Sequence, residues 1–143
     1  MVFSSATFRF LEQLADHNDK ARFERHRDEY EDCVRTPALE FIRAMAPRLA
    51  DFAPEFRADA RKLGCSLMRV YRDTRFARDK TPYKTNVGIQ FRHQLGKRKD
   101  FIGLAGLTRK EVTGARLVDL SAARFAAAAP FMRFLCEAAG VRY

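Results

Sequence analysis

A chain of 143 residues, 47% apolar and 31% charged, has the length of one domain and a composition that can bury a core. Lys and Arg number 27 against 18 Asp and Glu, a formal net charge of +9, which points to a polyanionic or phosphate-bearing partner without restricting the fold. No run approaches the roughly 18 apolar residues of a membrane helix, and Met1–Leu11 lacks the basic flank and apolar core of a secretory signal. Cys33, Cys65 and Cys136 stand far apart, which argues for reduced thiols in a cytoplasmic chain and against a disulfide framework or a zinc site.

Residues 4–15 read as an amphipathic helix, capped by Ser4 or Ser5 and carrying Phe8, Leu11 and Leu14 along one face. Asp16-His17-Asn18-Asp19 breaks it, because these side chains compete for backbone hydrogen bonds. A second helix over about 20–34 places Phe23, Tyr30 and Val34 on one side, with mixed charges on the other. Thr36-Pro37 reads as the capped start of a third helix with Leu39, Ile42, Met45 and Leu49 on its face, ending at Asp51-Phe52-Ala53-Pro54. Ser66–Tyr71 and Thr85–His93 then read as strands, the second alternating Val87, Ile89 and Phe91 against Asn86, Gly88, Gln90 and Arg92. Phe101–Leu107 is a weaker strand, since Gly103 and Gly106 interrupt it. Ser121 reads as the cap of a helix through the alanine run to Ala129, kinked or restarted at Pro130. Phe131, Phe134 and Leu135 form an apolar patch before Gly140. The expected class is α+β: about three N-terminal helices packed on a small antiparallel sheet, with a C-terminal helix, all in one domain over 1–143.

The charge is uneven. Residues 1–64 hold 11 Lys/Arg and 12 Asp/Glu, a helical scaffold near neutrality. Residues 65–99 hold ten Lys/Arg against Asp73 and Asp79 alone, a basic strand–loop–strand with a surplus of eight. Residues 100–143, a divergent tail, hold six against four. The connection 72–84 is too long for a tight hairpin and too polar for the core, and such loops usually carry function. It interleaves Arg72, Arg75, Arg78, Lys80 and Lys84 with Asp73, Asp79, Thr74, Thr81 and Tyr83. Arginine forks match phosphate or carboxylate oxygens in pairs, lysine adds point charge, and hydroxyls complete an oxyanion's shell. The expected ligand-binding set is Arg69, Arg72, Arg75, Arg78, Lys80, Tyr83, Lys84 and Arg92, for a phosphorylated ligand, a nucleotide or a nucleic-acid backbone.

Arg69-Val70-Tyr71-Arg72-Asp73-Thr74-Arg75-Phe76, followed by Asp79-Lys80-Thr81-Pro82-Tyr83-Lys84-Thr85, resembles the signature of the bacterial family called domain of unknown function 2461. Phe10-Leu11-Glu12-Gln13-Leu14-Ala15-Asp16-His17-Asn18 and the helix from Phe23 to Tyr30 agree with that family's upstream pattern. The resemblance covers roughly residues 3–96 and implies an α+β cytoplasmic domain with no established reaction or cofactor. Two departures stand out. Arg22 occupies the position where the family usually carries Trp. From Lys97 on the chain no longer follows the family's glycine-rich, aromatic sheet segment, as a truncated, frameshifted or diverged C-terminus would produce. If strands are missing there, an exposed sheet edge predicts a homodimer or marginal stability.

Three functions fit the residues. A binding module grips an anionic ligand through the loop. An enzyme uses the same cluster to stabilise developing negative charge, with His93, Asp73 or Asp79 moving a proton. A structural domain uses Arg and Asp as an internal network with no ligand. Asp73 and Asp79 as a magnesium pair, and His17 with His26 as metal ligands, are weaker readings, because neither set converges at ligand spacing. Cys65 beside the basic block is a low-pKa thiol candidate, with structural packing as its blander role. No metal or cofactor is indicated, and no dinucleotide, P-loop, zincin or nucleophile-elbow motif occurs.

Overall fold

Ser4 starts the first helix by accepting from Ala6 N, while the Thr7 side chain reaches back to accept from Ser4 N at 3.3 Å, a reciprocal capping box. The computed structural model describes residues 3–61, 66–94, 101–102 and 113–138 with Gly140 and Arg142; for 101–102 it describes the backbone. The elements run α1 (Ser5–Asp16), α2 (Lys20–Arg25), α3 (Arg27–Tyr30), a π-helical turn (Glu31–Arg35), α4 (Thr36–Phe52), β1 (Phe56–Arg57), β2 (Phe91–His93), β3 (Phe101–Ile102) and α5 (Leu117–Ala138). The class is α+β, with helices packed on a small antiparallel sheet of order β1-β2-β3. Among the described residues no helix is long and apolar enough to cross a membrane.

The buried stripe of α1 is Thr7, Phe10 and Leu14, with Phe8 and Leu11 only half-buried. The apolar spacing at 8, 11 and 14 therefore names a face turned slightly from the real one. The discrepancy lies in Thr7, a polar residue kept inside by a specific partner. Pro37 has no N–H to offer the Cys33 carbonyl four residues back. Thr7 Oγ1 crosses from α1 and donates to that carbonyl at 2.6 Å. The chain widens into the π-turn at the same place rather than stopping. Thr36 is consequently no cap: its backbone is helical (φ −59°, ψ −50°), and α4 starts without a side-chain cap. Phe23, Tyr30 and Val34 are buried together as their spacing predicts, although His26 (φ −114°) breaks their helix into two.

Among the described residues two apolar clusters result. One joins α4 to α5 and the sheet, through Phe41, Ile42, Met45, Leu49, Phe56, Phe91 and Phe125. The other gathers Phe10, Leu14, Phe23, Tyr30, Val34 and Tyr83 beneath the basic segment. Burial pushes the Tyr30 hydroxyl up to about 12. In α5, Ser121 is no cap either, since the helix already runs from Leu117 and continues through Pro130. Ser121 lies inside it, buried, its hydroxyl without a hydrogen-bond partner among the described residues. Arg48 on α4 and Asp119 on α5 pair across the surface at 2.7 Å. Cys65, residues 97–100, and the expected strand beyond Ile102 lie outside the described residues.

Candidate functional site

The basic segment is a hairpin of two extended arms, 66–72 and 82–90. Met68 N donates to Gly88 O, Lys84 N to Val70 O, Arg72 N to Pro82 O and Gln90 N to Ser66 O, each at 2.8 Å. Between the Met68–Gly88 and Val70–Lys84 pairings, Arg69 alone faces Thr85, Asn86 and Val87 on the other arm. These two extra residues bulge the second arm. The expected continuous strand from Thr85 is therefore regular only at Phe91–His93, where it joins β1 and β3. Ser66 ties the hairpin to the segment just after β1: its N donates to Asp59 O at 2.8 Å, and its hydroxyl accepts from Asp59 N at 2.9 Å.

The hairpin is hydrogen-bonded to the helical layer through Asn18. Asn18, in the turn between α1 and α2, donates Nδ2–H to Tyr83 O at 2.9 Å and accepts from Tyr83 N at 3.0 Å. The amide thus plays the part of a neighbouring strand. Asp19 caps α2 through Arg22 N, which brings Phe23 under the hairpin to stack on the Tyr83 ring (centroids 4.1 Å apart, planes at 18°). Phe23 also meets Tyr30, and Tyr71 meets Tyr83 from the other arm. Tyr83, expected in a ligand's shell, is only 2% exposed; its ring belongs to the core. Reading Asn18 as a helix breaker overlooks its amide, and only the proximity of an unpaired strand edge would have signalled the role.

Above this anchor the loop is strapped from within. Arg72 Nη1 donates to Asp79 Oδ2 and to Thr81 Oγ1, closing the neck. Asp79 also accepts from Thr81 N at 2.9 Å. That backbone donor first, and the Arg72 guanidinium second, pull the Asp79 carboxyl down to about 2. Arg75 makes a two-pronged contact with Asp73 at 2.9 and 2.7 Å and holds that carboxyl below its ordinary range. Lys80 Nζ donates to Thr74 O at 2.9 Å and Lys84 Nζ to Arg69 O at 3.0 Å. Arg69 and Arg78 are exposed, and no hydrogen bond joins either side chain to the described residues. Arg92 points outward from β2, and Gln90, with its amide oxygen turned toward it, accepts from Arg92 Nε at 2.9 Å.

The proton-transfer candidates are not gathered here. His93 faces inward on β2, 2% exposed, its ring edge-on to Phe56 at 5.4 Å and its Nε2 against the Arg142 carbonyl. Asp73 and Asp79 are each engaged by donors that favour the ionised form, so they are weak bases. His17 is exposed at the end of α1, and His26 Nδ1 faces Arg22 O at 2.9 Å. Among the described residues no three His, Cys, Asp or Glu side chains are grouped to hold a metal. Arg22 is half-buried and reaches Gln13 Oε1 at 3.4 Å.

Helices on a small antiparallel sheet, with a strapped basic hairpin anchored on the turn after α1, define the domain. The family model described as "Conserved hypothetical protein (DUF2461)" matches residues 6–98, and the chain belongs to that family. The match spans the anchor, the hairpin and β2, and stops short of α5. No curated protein and no solved structure matches the chain.

Proposed function

We propose that this domain binds an anionic, phosphate-bearing ligand across the exposed side of the hairpin, with Arg69 and Arg78 as its principal contacts and Lys80, Lys84 and Arg92 adding positive potential. The observation that carries the reading is the division of labour among the cations. Arg72 and Arg75 are committed to Asp79 and Asp73, whereas Arg69 and Arg78 stand exposed on the loop those pairs hold in shape. A guanidinium on an ordered support loses less freedom on binding than one on a mobile chain. Binding is favoured over catalysis because His93 is packed away and both loop carboxylates are paired.

The test is titration of the full chain with tripolyphosphate and with heparin at several salt concentrations. Affinity should fall steeply as salt rises. Arg69→Gln with Arg78→Gln should remove most binding without moving the melting temperature. Undetectable binding at low salt, or binding indifferent to this double variant, overturns the proposal. A second reading, a structural Arg–Asp network with no ligand, rests on the Arg72–Asp79–Thr81 clamp. It predicts that Arg72→Ala lowers the melting temperature while neither polyanion binds.

A further inference from the structure

The apex of the loop carries a feature that anion binding does not use. Phe76 is 96% exposed, in a loop held by three internal straps. Arg72 to Asp79 closes the neck. Lys80 to Thr74 O spans the loop, and Ala77 N meets Thr74 O at 3.4 Å to turn the chain beneath Phe76. The ring is thus presented on a built support. Its neighbours are cationic: the Arg75 guanidinium lies 6.0 Å from the ring centroid, and Arg78 follows two residues later, exposed and without a hydrogen-bond partner among the described residues. Met68 and Tyr71, on the first arm, are also 44% exposed beside Arg69.

We infer that the hairpin apex is a docking site for single-stranded nucleic acid, with the Phe76 ring stacking on an unpaired base while Arg69 and Arg78 follow the phosphates. The inference rests on the anion-binding reading and adds the base to it. Single strands are recognised by this combination, a basic surface that tracks the backbone with an aromatic face for each splayed base. A base presents a flat π surface matching the open face of Phe76, and duplexes keep those surfaces stacked inside. Charge complementarity favours this partner, since seven Lys/Arg face two Asp over residues 66–94. A lipid surface fits less well. A membrane-inserting tip needs contiguous apolar area, and here one ring lies between Arg75 and Arg78.

Fluorescence anisotropy of a labelled oligothymidylate with the full chain tests this, with inorganic polyphosphate as a polyanion that has no bases. Phe76→Ala and Phe76→Leu should each weaken oligothymidylate binding about tenfold, and Phe76→Trp should restore it. Polyphosphate affinity should be the same in all four proteins, and a duplex of equal length should bind more weakly than the single strand. A Phe76→Leu protein that binds the oligonucleotide as well as the parent overturns the stacking. A parent that binds polyphosphate but not oligothymidylate overturns this inference and leaves the anion-binding reading standing. If neither binds, both fall. Phe76-dependent binding to phosphatidylserine vesicles, with none to the oligonucleotide, assigns the tip to a membrane and overturns it as well.

Discussion

Asn18 and Tyr83, 65 positions apart, exchange two hydrogen bonds in which a side-chain amide pairs with a backbone as a second strand would. Both bonds are partly sheltered, and both belong to one residue, so one substitution removes them together. Asn18→Ala should cost about 1–3 kcal/mol in urea denaturation, the range for leaving sheltered backbone groups unpaired. Hydrogen exchange at the Tyr83 amide should accelerate by more than at Phe41 or Ile42. Asn18→Asp keeps an acceptor for Tyr83 N but sets a carboxylate against Tyr83 O, so it should not rescue. A melting temperature unchanged by Asn18→Ala would show that the hairpin is held elsewhere.

The ring of Tyr83 does separate work from its backbone. It stacks on Phe23 at 4.1 Å and also touches Tyr71. Tyr83→Ala should cost about 3–5 kcal/mol, as truncation of a buried aromatic does. Tyr83→Phe preserves the stack and should cost under about 1 kcal/mol, as shape-conserving core changes do. Polyanion affinity should be unchanged in Tyr83→Phe. A lost affinity there would return the hydroxyl to the ligand's shell.

Much of this was legible from residue type and spacing. Phe23, Tyr30 and Val34 are buried together because a helix brings such spacings to one side, and Ser4 caps because it is a hydroxyl ahead of a helical run. Arg72 and Asp79 were recognisable as parts of one loop by their density of charge. The sequence did not reveal that Arg72 would close onto Asp79 seven residues later, because neither partner is buried and local propensity is indifferent to the choice. The misread caps at Thr36 and Ser121 share one cause. Thr or Ser ahead of an apolar stretch signals a cap, yet tertiary packing carried the helix through both positions. β1 passed unnoticed because two residues, Phe56 and Arg57, show no alternation, and only pairing with Arg92 and His93 makes them a strand.

Thr7 and Pro37 form a compensation that a variant can expose. The proline removes the N–H that would meet Cys33 O, and Thr7 Oγ1 replaces it at 2.6 Å. Thr7→Val keeps the shape but strands the carbonyl, and should cost about 1–3 kcal/mol. Thr7→Ser keeps the donor and should cost less. Pro37→Ala in the Thr7→Val background restores a backbone donor and should recover part of the loss. A double-mutant cycle in urea showing no coupling between positions 7 and 37 would refute the compensation.

Asp79 makes the neck of the loop sensitive to acid. Its carboxyl is drawn down to about 2 by Thr81 N and then Arg72, below the ordinary value of about 3.9 in an unfolded chain. A carboxyl whose folded value is depressed contributes stability that is complete above the unfolded value and is lost as pH falls through the folded one. The window therefore runs from about 4 down to about 2. Asp79→Asn removes the charge at every pH. The melting-temperature gap between parent and variant should be constant above about pH 5, narrow below about pH 4 and close near pH 2. Because the pair is exposed, the gap should be small and should shrink further with salt. A carboxyl carbon resonance for Asp79 that titrates near 4, or a gap that persists unchanged to pH 2, would mean that Arg72 and Thr81 do not hold the charged form in solution.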